Sequence, residues 1–111
     1  MAMVTTLLDH LYEGNVLDTV DLARITKTDP RSVSRWRSET ATPRRAAEEV
    51  LLELRAVVDL ARTVMNDDAA RFWLRSPNRD LRYRKPLELI AEGEYRRVVD
   101  LLLALAEGIT T

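Results

Sequence analysis

Between Ala47 and Met65 the apolar residues fall at Ala47, Val50, Leu51, Leu54, Val57, Val58, Ala61, Val64 and Met65. This is the i, i+3, i+4, i+7 spacing of one helix face, and it predicts a single long amphipathic helix. So long a stripe has to be covered by other amphipathic segments. The rest of the chain has to supply the segments that cover it.

Val4, Leu7, Leu8 and Leu11 share one helical face, and Gly14 closes that first helix. Asp18 can cap a second helix with Val20 and Ala23 on its inner face. At Asp29-Pro30 a carboxylate stands before a proline, so the acid accepts first-turn amides and the proline loses no needed donor. A short helix from Pro30 to about Arg37 is expected. Thr42-Pro43 repeats the device and opens the long helix. Asn66 caps "DDAARFWLR", Pro86 opens "PLELIAEG", and Gly93 ends it. Tyr95, Val98, Val99, Leu102, Leu105 and Ala106 mark a last helix that Gly108 closes. No segment alternates with period two over a strand length. The expected fold is all-α, with six or seven helices, in one small domain or in two sub-domains sharing a core. Residues 1–45 read as a helix-turn-helix-like region and 46–111 as a second helical region.

With a net charge of -1 over 111 residues the chain is not a basic nucleic-acid coat, so any DNA contact has to come from a local patch. It has no cysteine, which excludes disulfides and thiol chemistry and fits a reducing cytoplasm. The longest apolar run, "LLLALA", is far below the roughly 18 residues of a spanning helix. The start "MAMVTTLLDHLYEG" has no signal-like block. These features describe a soluble cytoplasmic protein with no membrane partner. His10 is the only histidine, there is no glycine-rich phosphate loop, and Asp67-Asp68 suits the dipole of a helix's first turn. No enzyme, metal site or cofactor is expected.

"VDLARITKTDPRSVSRW" has the form of a helix-turn-helix. Ala23 is small where the two helices cross, and Val33 and Trp36 face inward. Arg31, Ser32, Ser34, Arg35 and Arg37 are left outside, where arginine can pair with guanine and serine with base edges or phosphate. Arg44 and Arg45 begin the next helix and suit phosphate. From Arg31 to Arg45 the only acid is Glu39. The turn in this motif usually has glycine four positions after the small residue. Here that position is Lys27, which requires a different turn or a strained one.

"RSPNRDLRYRKP" breaks the helical pattern and sets Arg75, Arg79, Arg82, Arg84 and Lys85 against one acid, Asp80. Three readings are open: a solvated loop pairing with Glu88, Glu92 or Glu94; a phosphate or RNA contact with Tyr83 stacking; or a protein interface.

The ordered set Trp73, Ser76-Pro77-Asn78, Leu81, Lys85-Pro86-Leu87-Glu88-Leu89-Ile90, Gly93, Tyr95, Val98 and Ala106-Glu107-Gly108 resembles the toxin-binding domain of the Xre/MbcA/ParS antitoxin family. The preceding helix-turn-helix matches the family layout as well. The resemblance implies an antitoxin of a type II toxin–antitoxin pair. Its partner would be a RES-domain toxin that consumes NAD, so NAD belongs to the partner as substrate. It also implies a homodimer, operator DNA as a further partner, and a C-terminal end that blocks the toxin's active site. Carried onto this chain, the blocking residues are Glu107, Gly108, Ile109, Thr110 and Thr111. The toxin-contact candidates are Trp73, Arg75, Asn78, Arg79, Arg82 and Tyr83. On the resemblance, the basic break reads as a protein interface. The alternatives are a stand-alone helix-turn-helix transcriptional regulator and an adaptor for some other protein.

Overall fold

The computed structural model describes residues 2–108, with side chains from Val4 onward. Among the described residues seven α-helices follow one another: α1 (Ala2–Tyr12), α2 (Thr19–Thr26), α3 (Pro30–Arg37), α4 (Arg45–Val64), α5 (Asp67–Arg75), α6 (Pro86–Ala91) and α7 (Tyr95–Ala106). Short 3-10 turns lie at Glu13–Asn15 and Arg79–Leu81. No β-strand occurs among the described residues, and the fold is all-α as expected.

The 20-residue α4 is the axis of the molecule. Ala47, Leu51, Leu54, Val57, Val58 and Ala61 are buried along it, and α1, α2, α5, α6 and α7 all pack against it. One apolar cluster runs from Val4 through Trp36 and Leu54 to Leu102, so both halves of the chain share a core. The stripe on α4 is thus covered by both halves at once, which lets so short a chain bury large side chains such as Leu8, Leu51 and Leu102 completely.

The capping residues act as their chemistry requires. The Asp18 carboxylate accepts the Asp21 amide and Asp21 returns the bond to the Asp18 amide, a reciprocal capping box. Asp29 accepts from Ser32 N–H at 2.7 Å and Asn66 from Ala69 N–H at 2.8 Å. Gly14 has φ +68°, and a Cβ there would collide with the Asp67 carboxylate.

Two expectations are corrected. Val20 is 55% exposed; Leu22, Ala23 and Ile25 form the inner face of α2 instead. Val20 lies opposite this stripe once Leu22 and Ile25, three apart, set its phase. The long helix begins at Arg45, not at Thr42-Pro43, and has no side-chain cap. Pro43 is buried in the extended segment before it.

Candidate functional site

Two surfaces carry the candidate residues. The first is the helix-turn-helix. Ala23 is buried where α2 meets α3, and Val33 and Trp36 are buried beneath α3. Lys27 takes the left-handed conformation, φ +59° and ψ +43°. There the Thr28 amide donates to the Ala23 carbonyl and the Lys27 amide to that of Arg24, a helix ending that ordinarily favours glycine. The turn therefore forms with lysine, at a conformational cost of about 1 kcal/mol.

Arg31, Ser34 and Arg35 lie exposed on α3, and their side chains form no ion pair among the described residues. Ser32 is half-buried. Arg37 is exposed but engaged: its Nε donates to Asp9 at 3.2 Å, and its guanidinium lies 4.5 Å over the Tyr12 ring. Arg44 is exposed, and Arg45 pairs with Glu49 one turn along α4.

The second surface is built around the basic break, which is a compact hydrogen-bonded loop. The Asn78 carbonyl accepts the Leu81 and Tyr83 amides, its own amide donates to Arg84, and its side chain accepts from Asp80. Leu81 is buried and anchors the loop to the core. Arg82 and Tyr83 are both left-handed, at φ +56° and +64°. Two adjacent non-glycine residues in that region store strain that the surrounding bonds hold in place. The result turns Arg82 and Tyr83 outward, with Tyr83 71% exposed. Arg79 is exposed too, and neither it nor Arg82 forms an ion pair among the described residues.

Arg84 and Arg75 of the break are instead committed within the fold. Arg84 pairs with Glu92 and Glu88. This holds its guanidinium above the ordinary range, first through the Glu92 bond. Arg75 donates to the Val16 carbonyl at 2.9 Å, to the Arg71 carbonyl, and to the Asp21 carboxylate. One turn earlier, Arg71 donates to the Asn15 carbonyl at 3.0 Å and pairs with Asp18. α5 thus grips the capping box of α2. Burial pushes the Asp21 carboxyl above its ordinary value, against the Asp18 amide bond and the Arg75 charge. Burial also opposes ionisation of Asp18, but the Asp21 hydrogen bonds and the charges of Arg75 and Arg71 outweigh it and hold that group low.

Trp73 is half-buried against the core, while its neighbour Phe72 is 74% exposed. The spacing of Ala70 and Leu74, the buried pair of α5, was the available signal, because it places Phe72 on the far side of the helix. Leu103 on α7 is a further exposed apolar residue of this half, at 43%. Glu107 and Gly108 are exposed past the end of α7. Ile109, Thr110 and Thr111 lie outside the described residues.

A family model, "Antitoxin Xre/MbcA/ParS C-terminal toxin-binding domain", matches residues 53–108. The chain belongs to the Xre/MbcA/ParS antitoxin family. The matched span contains α5, the basic loop, α6 and α7. The mycobacterial cidal antitoxin MbcA of Mycobacterium tuberculosis (strain H37Rv) is 42% identical over 89 residues, which are 80% of this chain and 79% of that protein. The MbcA of Mycobacterium bovis matches equally. Among solved structures, a chain of the M. tuberculosis MbcT–MbcA toxin–antitoxin complex superposes with a TM-score of 0.89 at 35% identity, covering 100% of this chain and 99% of that one. The family's helical architecture therefore extends over both halves of this protein.

No group of three or more metal-ligating side chains occurs among the described residues, and no helix is long and apolar enough to cross a membrane.

Proposed function

We propose that this antitoxin-family chain binds and neutralises a RES-type, NAD-consuming toxin by placing its C-terminal end in the toxin's active-site cleft, acting as a homodimer. The carrying observation is the outer surface of the matched domain. Phe72 and Tyr83 expose aromatic rings, and Arg79 and Arg82 present cations that form no ion pair among the described residues. Aromatic and arginine side chains are the types enriched at interface centres. Holding Arg82 and Tyr83 in a strained conformation costs stability, which fits a loop retained for binding. Trp73 and Asn78 then support this surface from behind, one packed on the core and the other organising the loop. Support for a toxin partner also comes from MbcA, which is found with its toxin MbcT. The RES class of the toxin rests on the family resemblance.

Residues 107–111 are the proposed plug: Glu107, Gly108, Ile109, Thr110 and Thr111. Gly108 has φ +75°, so the chain changes direction as it leaves α7. The test is co-expression with a RES-type toxin from the same genome. The full chain restores growth and a chain lacking residues 108–111 does not. Full protection by the shortened chain overturns the plug, and no protection by the full chain overturns the antitoxin reading for that toxin.

Operator binding through α3 is the second function proposed. It is favoured by the outward face of Arg31, Ser34 and Arg35, whose side chains form no ion pair among the described residues. A salt-controlled gel shift on the chain's own promoter tests it.

A further inference from the structure

A groove of about 510 Å³ opens between the α2–α3 turn and the first turn of α4. Its wall includes Lys27, Ser32, Trp36, Thr42 and Arg44, and no carboxylate lines it. The Lys27 ammonium, the Arg44 guanidinium and the Thr42 hydroxyl make no side-chain hydrogen bond or ion pair among the described residues, whereas the Ser32 hydroxyl is shared with the Asp29 carboxylate. Ala46 and Ala47 also border the groove. They belong to the first turn of α4, which has no side-chain cap, so its first amides need an acceptor from outside the helix.

Trp36 supplies an independent sign. It is only 5% exposed, yet its indole N–H bonds nothing among the described residues. Thr5 Oγ1 is the one sealed side-chain polar atom there without a partner, so the indole N–H reaches solvent, and the groove is the concavity that Trp36 lines. Two cations, the Thr42 hydroxyl, the Trp36 side chain and the uncapped first turn of α4 border a groove that no carboxylate lines. That combination supplies donors and positive charge and suits an oxyanion.

The geometry points to a phosphate-binding site in this groove, seating one backbone phosphodiester of DNA while α3 reads the adjoining bases. It rests on the operator-binding reading above. Ser32 joins the two surfaces, because it lines the groove and sits on the same helix as Arg31 and Arg35. A bound phosphate there fixes register and carries no base information. It also gives a role to Lys27, which borders the groove at a turn that glycine would form without strain.

The experiment uses the full chain and the variants Lys27→Gly and Arg44→Gln. Lys27→Gly removes a charge while relieving the backbone, so lost binding cannot be ascribed to unfolding. Duplex affinity is measured against salt, on operator and on scrambled DNA. Each variant is expected to lower affinity about equally on both duplexes and to reduce the slope of log K against log salt by about one. An unchanged slope with wild-type binding intact overturns the phosphate site and leaves operator binding standing. If the wild type binds no duplex, operator binding fails, and the groove is judged with inorganic phosphate by NMR. A saturable shift of the Trp36 indole N–H then assigns the site to free phosphate compounds, and no shift overturns it.

Discussion

The Arg75 guanidinium reaches across 54 positions of chain to the Asp21 carboxylate and ties the end of α5 to the capping box that starts α2. The family-matched span and the helix-turn-helix are thereby joined, beside the Arg71–Asp18 pair, by an ion pair whose side chains are 26% and 13% exposed. At that burial, removing one partner strands the other.

Arg75→Ala should therefore destabilise the protein by about 2 kcal/mol. Adding Asp21→Ala should cost less than the sum of the two single changes. Urea unfolding of the four-member cycle measures this, and strict additivity would mean that the pair is uncoupled.

Lys27→Gly should stabilise by about 1 kcal/mol, because glycine takes φ +59° without the Cβ clash. The melting temperature should rise by about 4 °C. A fall would show that the lysine stem packs usefully on α2.

Arg35→Ala should weaken operator binding and relax base preference. Arg37→Ala should leave base preference as it was, since Asp9 and Tyr12 already hold that guanidinium. Binding selections on randomised duplexes compare the two. Equal relaxation would return Arg37 to the base-reading set.

Charge reversal at Arg79 should lower toxin affinity without changing the melting temperature, because its side chain has no ion-pair partner among the described residues. Tyr83→Gly makes a sharper test. It relieves φ +64° and should raise stability while weakening the complex. Calorimetry with the purified toxin reads the affinity. Full affinity in both variants would move the interface elsewhere.

The Ser32 amide and hydroxyl hold the Asp29 carboxyl below its ordinary value of 3.8. A depressed acid stabilises above its unfolded value, and that contribution is lost as pH falls through the lower folded value. The wild type should thus lose part of its stability below about pH 4, and Asp29→Asn, which keeps the acceptor, should lose less. Urea midpoints between about pH 5 and 2 decide it, and parallel curves would exclude Asp29 as a source.

Local chemistry made much of this protein legible in its sequence. The stripe from Ala47 to Met65, the caps Asp18, Asp29 and Asn66, and the breaks at Gly14, Pro86 and Gly93 depend on neighbours within a turn or two, so they can be read along the chain. The same holds for Val33 and Trp36 beneath α3. Where the phase of a short helix is ambiguous, periodicity misleads: Val20 turns outward on α2. On α5 it leaves Phe72 more exposed than Trp73. The start of α4 moved to Arg45 because Pro43 is buried by packing.

The roles of the cations were decided only by the tertiary structure. Arg75, Arg79, Arg82 and Arg84 look equivalent in "RSPNRDLRYRKP". Folding brings Asp21 to Arg75, places Glu92 beside Arg84, and leaves Arg79 and Arg82 facing outward. Periodicity records which face of a helix is apolar. It does not record which distant carboxylate that face will meet, because an ion pair depends on the approach of two elements in space.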